Sequence, residues 1–283
     1  SSATVYNLPI VNIFNSGQAC VGGSITLNAN GGTNYTWNGP SGFSSSNQNP
    51  TLTNVTLINN GNYTVLVTNA NTCTNTAITN VTVNPLPTAI ITVNNPICEG
   101  QNLNFNSSGL NQSQWIGPNN FNSNNSNPSI NNAGINSSGT YTLIETDING
   151  CKANTTTLVV VNPLPLIVAN GASVCEGQNI NLFANGGNTY SWSGPNGFNS
   201  NLQNPTIPNA QINFIGIYTI QVTTSAGCTS STNVNVNVNV APTGTIGSNS
   251  PICENNKLFL FTSPSNSYQW QGPNGFSSTI QNP

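Results

Sequence analysis

Charge is what this chain has least of. Its 283 residues contain 2 Lys and Arg together, 5 Asp and Glu, and no His. Acid–base and metal chemistry at neutral pH needs such groups in clusters, so the composition argues against an enzyme and predicts no catalytic residue, no cofactor and no metal site. The two cations, Lys152 and Lys257, lie far apart in sequence. They cannot neutralise a phosphate backbone or follow an anionic bilayer, which excludes nucleic acid and anionic membrane surfaces as partners. Apolar runs are only a few residues long, so neither a transmembrane helix nor a signal-peptide core is present in this segment. Met is also absent, so the start of translation is not expected within these residues.

Low charge with abundant Asn, Ser and Thr would suit disorder, but 35% of residues are hydrophobic. They alternate regularly, and Trp, Tyr and Phe recur at fixed phases, which is enough to fill a core. Four times a Cys is followed 17 residues later by a Trp: Cys20 and Trp37, Cys98 and Trp115, Cys175 and Trp192, Cys253 and Trp270. Three of these blocks continue with a Tyr 26 residues after the Trp and a Cys 10 residues after that, namely Tyr63 and Cys73, Tyr141 and Cys151, Tyr218 and Cys228. Such spacing marks one unit copied in tandem with a period of 77 or 78 residues. The expected boundaries are an end strand and linker of a preceding repeat over 1–9, then repeats over 10–87, 88–165 and 166–242, then the first half of a fourth over 243–283. Ala3 to Pro9 aligns with Val81 to Pro87, which closes a repeat, and the chain stops at a mid-repeat position. Both ends are therefore expected to be cut inside a longer array.

Within a repeat every segment reads as a strand or a turn. Leu103 and Phe105 alternate with Asn102 and Asn104, as on a strand with one buried face. Gly42, Gly197 and Gly275 share a phase with Asn120, a Gly-or-Asn exchange that predicts left-handed backbone. Val234 to Val240 alternates Val with Asn without a break. Six to eight short strands per unit, a Trp on a central strand and a Tyr opening the penultimate one describe an all-β chain of tandem immunoglobulin-like Greek-key β-sandwiches. The linkers, Asn-Pro-Leu-Pro at 84–87 and 162–165, Asn7-Leu8-Pro9 and Ala241-Pro242, are short and Pro-bearing, which predicts a stiff elongated rod.

The pattern Cys-x-Gly, Tyr-x-Trp-x-Gly-Pro-x-Gly-Phe, Gly-x-Tyr-Thr, Gly-Cys and Val-x-Val-Asn-Pro-Leu-Pro resembles the PKD-like and Ig-like repeats of very large Bacteroidota surface proteins. These include gliding-motility adhesins and other cargo of the type IX secretion route. The resemblance spans essentially the whole chain and implies a cell-surface or secreted location, without indicating a ligand. Ser113 departs from it by replacing the Tyr before the Trp, and Val21 replaces the Glu found at 99, 176 and 254.

Seven Cys at regular phase, Cys20, Cys73, Cys98, Cys151, Cys175, Cys228 and Cys253, read as disulfides formed in an oxidising compartment. Two pairings remain open. One closes each repeat on itself, as Cys20 to Cys73, Cys98 to Cys151 and Cys175 to Cys228. The other joins successive repeats, as Cys20 to Cys151 and Cys98 to Cys228, because in an Ig-like topology the two Cys of one repeat lie at opposite ends of the sandwich. Trp37, Trp115, Trp192 and Trp270, with Tyr63, Tyr141 and Tyr218, read as core markers rather than a sugar-stacking face. Phe43, Phe121, Phe198 and Phe276 are expected to pack on the sandwich or its neighbour. Glu99, Glu176 and Glu254 supply too few oxygens for a calcium junction. Asp147 to Gly150 reads as a hairpin turn with Lys152 able to meet Asp147 across it. The expected role is a non-catalytic structural region of an extracellular fibre or adhesin stalk, whose partners are neighbouring repeats and identical chains in a filament. The alternative is an array of glycan- or protein-binding modules acting through avidity.

Overall fold

Ser24–Asn30 alternates apolar and polar residues, and it forms a strand with Ile25, Leu27 and Ala29 buried. That is the two-residue period of a strand with one face on a core. The computed structural model describes residues 3–107, 109, 112–240 and 242–283. Ser1 and Ser2 of the leading segment and Ala241 of the last linker lie outside the described residues. The chain divides into two units, Ser1–Pro163 and Leu164–Pro283. Among the described residues there is no α-helix, only strands and single 3-10 turns, and no helix is long and apolar enough to cross a membrane.

In the first unit, β1 (Asn12–Asn15), β2 (Ala19–Cys20), β3 (Ser24–Asn30), β4 (Asn34–Gly39), β5 (Phe43–Ser45), β6 (Thr51–Thr53), β7 (Gly61–Thr68), β8 (Thr74–Val81) and β9 (Val83–Asn84) build the first sandwich. Its sheets run β1-β3-β6 and β5-β4-β7-β8, with β2 and β9 paired in parallel. The chain crosses between these two sheets from β3 to β4, from β5 to β6 and from β6 to β7, as in the Greek-key sandwich of an Ig-like domain. The second sandwich repeats this with β10 (Ile91–Val93), β11 (Ile97–Cys98), β12 (Leu103–Ser107), β13 (Gln112–Gly117), β14 (Phe121–Ser123), β15 (Ser129–Ile130), β16 (Gly139–Thr146), β17 (Lys152–Val159) and β18 (Val161–Asn162). Its sheets run β10-β12-β15 and β14-β13-β16-β17, with β11 parallel to β18.

The second unit holds β19 (Val168–Asn170), β20 (Ala172–Cys175), β21 (Ile180–Asn181), β22 (Phe183–Asn185), β23 (Thr189–Gly194), β24 (Phe198–Ser200), β25 (Thr206–Ile207), β26 (Gly216–Thr223) and β27 (Thr229–Asn239). Here the Val–Asn alternation keeps the last strand unbroken, so β20 joins the main sheet in the order β20-β27-β26-β23-β24. Residues 243–283 add β28 (Ile246–Ser248), β29 (Leu260–Thr262), β30 (Trp270–Gln271) and β31 (Ser277–Ser278). They contain no counterpart of β7 to β9, the strands that cover this face in the first repeat.

Trp37, Trp115 and Trp192 are buried, as are Tyr63, Tyr141 and Tyr218. Each of these Tyr hydroxyls donates to the carbonyl four residues earlier: Asn59 at 3.1 Å, Ser137 at 2.9 Å and Phe214 at 3.2 Å. This is the tyrosine corner of Ig-like sandwiches. The ring lies so close to the preceding strand that a Cβ on Gly39, Gly117 or Gly194 would sit 2.4 Å from it. Phe43, Phe121 and Phe198 pack edge-on against the same rings at 5.3, 5.5 and 5.4 Å. Trp270 departs from the expectation of a core residue and is only half-buried, because the covering strands have no counterpart in 243–283. The Gly-Pro-x-Gly-Phe turn carries two successive left-handed residues: Ser41 and Gly42, Asn119 and Asn120, Asn196 and Gly197, Asn274 and Gly275. The Gly-or-Asn exchange in the sequence marks only the second of each pair.

Candidate functional site

Asn69, Asp147 and Thr224 open equivalent hairpins, and each uses a side-chain oxygen to hold the turn. Asp147 Oδ1 accepts from the backbone N–H groups of Asn149 and Cys151 at 2.9 and 2.8 Å, and Asn69 Oδ1 does the same for Asn71 and Cys73 at 3.0 Å each. Thr224 Oγ1 accepts from Cys228 N at 3.2 Å. Three residue types thus satisfy one requirement, a short side chain that can accept a hydrogen bond and place the Cys after it. The expected meeting of Asp147 with Lys152 is not found among the described residues; Asp147 Oδ1 is instead taken by the turn.

Cys151 is fully buried at the end of this hairpin and is bonded to Cys20 across 131 positions of sequence, with Cα atoms 5.5 Å apart. Cys20 reaches it from β2, where Ala19 and Cys20 lie beside Val83 and Asn84. The parallel pairing carries the first Cys of one repeat to the linker, and the linker runs on to the hairpin of the next. Of the two pairings left open by the sequence, Cys20 takes the one that crosses between repeats. Cys73, Cys175 and Cys253 are free thiols; Cys253 is the odd cysteine of the seven, and Cys73 and Cys175 are the two that the cross-repeat pairing leaves without a partner in these residues. Cys98 and Cys228 are disulfide-bonded. At Cys73 the leading segment occupies the place of a linker: Asn69 Nδ2 donates to Asn7 O at 2.9 Å, and Asn75 Nδ2 to Pro9 O at 3.0 Å.

The second repeat differs from its neighbours at one corner. The cross-strand pair Tyr35 and Val67, or Tyr190 and Val222, becomes Ser113 and Glu145. Glu145 is fully buried, and Ser113 Oγ donates to its carboxylate at 3.2 and 3.1 Å. Gln48 and Gln203, whose amides donate to Ala29 O and Ala184 O, are replaced by Ser126. The indoles of Trp37, Trp192 and Trp270 donate to backbone carbonyls at 3.2, 3.3 and 3.1 Å, whereas Trp115 Nε1 has no partner among the described residues. Beside this corner lies a polar groove of about 480 Å³ lined by Gln112, Ser113, Gln114, Ser126, Thr146 and Lys152. A larger apolar hollow of about 630 Å³ lies in 243–283 against Leu258, Leu260, Trp270 and Phe276. Among the described residues no three His, Cys, Asp or Glu side chains gather as a metal site would require.

No family model matches this chain, and no curated protein does either. Among solved structures, the N-terminal eight Ig domains of Down syndrome cell adhesion molecule isoform 1.30.30 are similar over 82% of this chain, with TM-score 0.50 and 16% identity. The chain spans 37% of that structure's length. The three N-terminal domains of the bacteriophage RB49 highly immunogenic outer capsid protein align over 81% of this chain and 98% of that one, with TM-score 0.38 and 13% identity. A structure from a 1.5-MDa bacterial ice-binding adhesin aligns over 83% and 99%, with TM-score 0.36 and 12% identity. The first similarity shows the fold, an all-β array of Ig-like sandwiches, and nothing further rests on the other two.

Proposed function

We propose that this chain is a non-catalytic structural repeat region of an extracellular fibre or surface-adhesin stalk, built from serially stapled Ig-like sandwiches that carry tension. One observation supports the reading above the others: the Cys20–Cys151 bond ties one repeat to the next rather than closing either on itself. A bond so placed serves the continuity of an array, and disulfides persist in oxidising, extracellular settings. Cys98 and Cys228 stand at the same phase one repeat later. The near-absence of charge suits the role, since a surface wetted by neutral Asn, Ser and Thr is insensitive to salt. Identical chains associating laterally, and the setting implied by the resemblance to Bacteroidota surface repeats, belong to this proposal.

A second reading, an array of binding modules, is favoured by the polar groove of the second repeat, which could take a glycan hydroxyl face or a peptide. Glycan-array binding by the full chain separates the two. A spacer gives no retained ligand; saturable capture abolished by Ser126→Trp, which fills the groove, would replace the structural reading with the binding one.

A further inference from the structure

The staple closes a loop that begins on the first repeat's β2 and ends just before β17 of the second repeat. Consider the chain drawn by its two ends. Tension enters through the residues before Cys20, passes through the disulfide to Cys151, and continues along β17 into the linker that follows. Residues 21–150 lie on the closed side of the bond. They contain β3 to β16 and both buried indoles, Trp37 and Trp115.

We propose that the Cys20–Cys151 bond is a tension bypass that keeps the bodies of two sandwiches out of the line of force and denies their length to an extending chain. The inference rests on the reading of the array as a tension-carrying stalk. In the first repeat only β1 and β2 are on the path. In the second the path follows β17, which is held by antiparallel pairing to β16 from Thr146↔Lys152 to Gly139↔Val159. A repeat closed on itself would leave one disulfide loop per domain and expose every linker to the load. A bond that crosses the junction spans the linker as well, so the Pro-bearing segment between repeats is also relieved.

The magnitude follows from the loop. An extended chain spans at most ~3.3–3.6 Å per residue, so the 131-position separation corresponds to roughly 430–470 Å of contour. In the bonded protein the same two Cα atoms are 5.5 Å apart.

The test stretches single molecules of the full chain by tags at its two ends, in a Cys98→Ser/Cys228→Ser background so that only this bond is read. The oxidised molecule is expected to reach full extension about 430–470 Å shorter than after reduction. Adding Cys20→Ser and Cys151→Ser should give the long extension without reductant. Equal extensions in the oxidised and reduced states would overturn the bypass, as would an oxidised molecule that releases the length of residues 21–150 before the bond breaks. Glycan capture would sink the stalk reading while leaving these extensions unchanged, so the two ideas fail separately.

Discussion

Replacing Tyr141 by Phe removes one oxygen from the second repeat and leaves the ring where it is. The hydroxyl donates to Ser137 O at 2.9 Å in a fully buried setting, and Ser137 is itself buried. A lost hydrogen bond costs ~0.5–1.5 kcal/mol net, and a buried carbonyl stripped of its donor adds to that, so about 2 kcal/mol is expected here. Tyr63 and Tyr218 make the same bond to Asn59 O and Phe214 O at 3.1 and 3.2 Å, but those acceptors are partly open to water. Water can replace the lost donor, and the expected cost falls to about 1 kcal/mol. Tyr6, exposed in the leading segment, serves as the control with no cost. Hydrogen exchange in increasing urea, read repeat by repeat through its own peptides, gives each value separately. The same three phenols govern alkaline stability, because burial raises their pKa above the ordinary 10.0. The folded state holds the proton that the unfolded state releases near pH 10, so this stabilisation is complete below that pH and is lost as pH climbs through the raised folded values. The triple Phe variant should be weaker at neutral pH and lose less than the parent above pH 10. Equal costs at Tyr141 and Tyr6, or an alkaline profile unmoved by the three substitutions, would refute the argument.

Gly117→Ala should destabilise the second repeat by about 3 kcal/mol in the same exchange experiment, since the new methyl meets the Tyr141 ring at 2.4 Å and Phe105 and Phe121 stand behind that ring at 4.6 and 5.5 Å. Raising salt from low to molar concentration should shift unfolding free energy by less than about 1 kcal/mol, because no ion pair forms among the described residues; urea titrations at both salts check this. A thiol-reactive label applied without reductant should mark Cys73, Cys175 and Cys253 and no other Cys by mass spectrometry, with exposed Cys175 and Cys253 reacting before half-buried Cys73.

Much of the architecture is legible in the chain because one unit is written several times. Any feature that recurs at Trp37, Trp115 and Trp192 must serve the unit, so period and phase identify the central strand and the tyrosine corner before any contact is known. Pairing of the Cys residues is a different kind of fact. It depends on β2 swinging across to lie parallel to β9, and a two-residue strand leaves no periodic signal. The equivalence of Asn69, Asp147 and Thr224 is hidden for the opposite reason, since the requirement is a hydrogen-bond acceptor that three residue types can meet. The polar corner of the second repeat was half visible: Ser113 stands out against Tyr35 and Tyr190, but its companion Glu145 is identified only by cross-strand register. Nothing in the alternation of β16 distinguishes that buried carboxylate from a surface one.

In the extracellular setting proposed above a stalk meets proteases, and the loop closed between Cys20 and Cys151 changes what a single cut achieves. Cleavage of the backbone anywhere from 21 to 150 leaves the two fragments fastened through sulfur, so the strand is wounded without being severed.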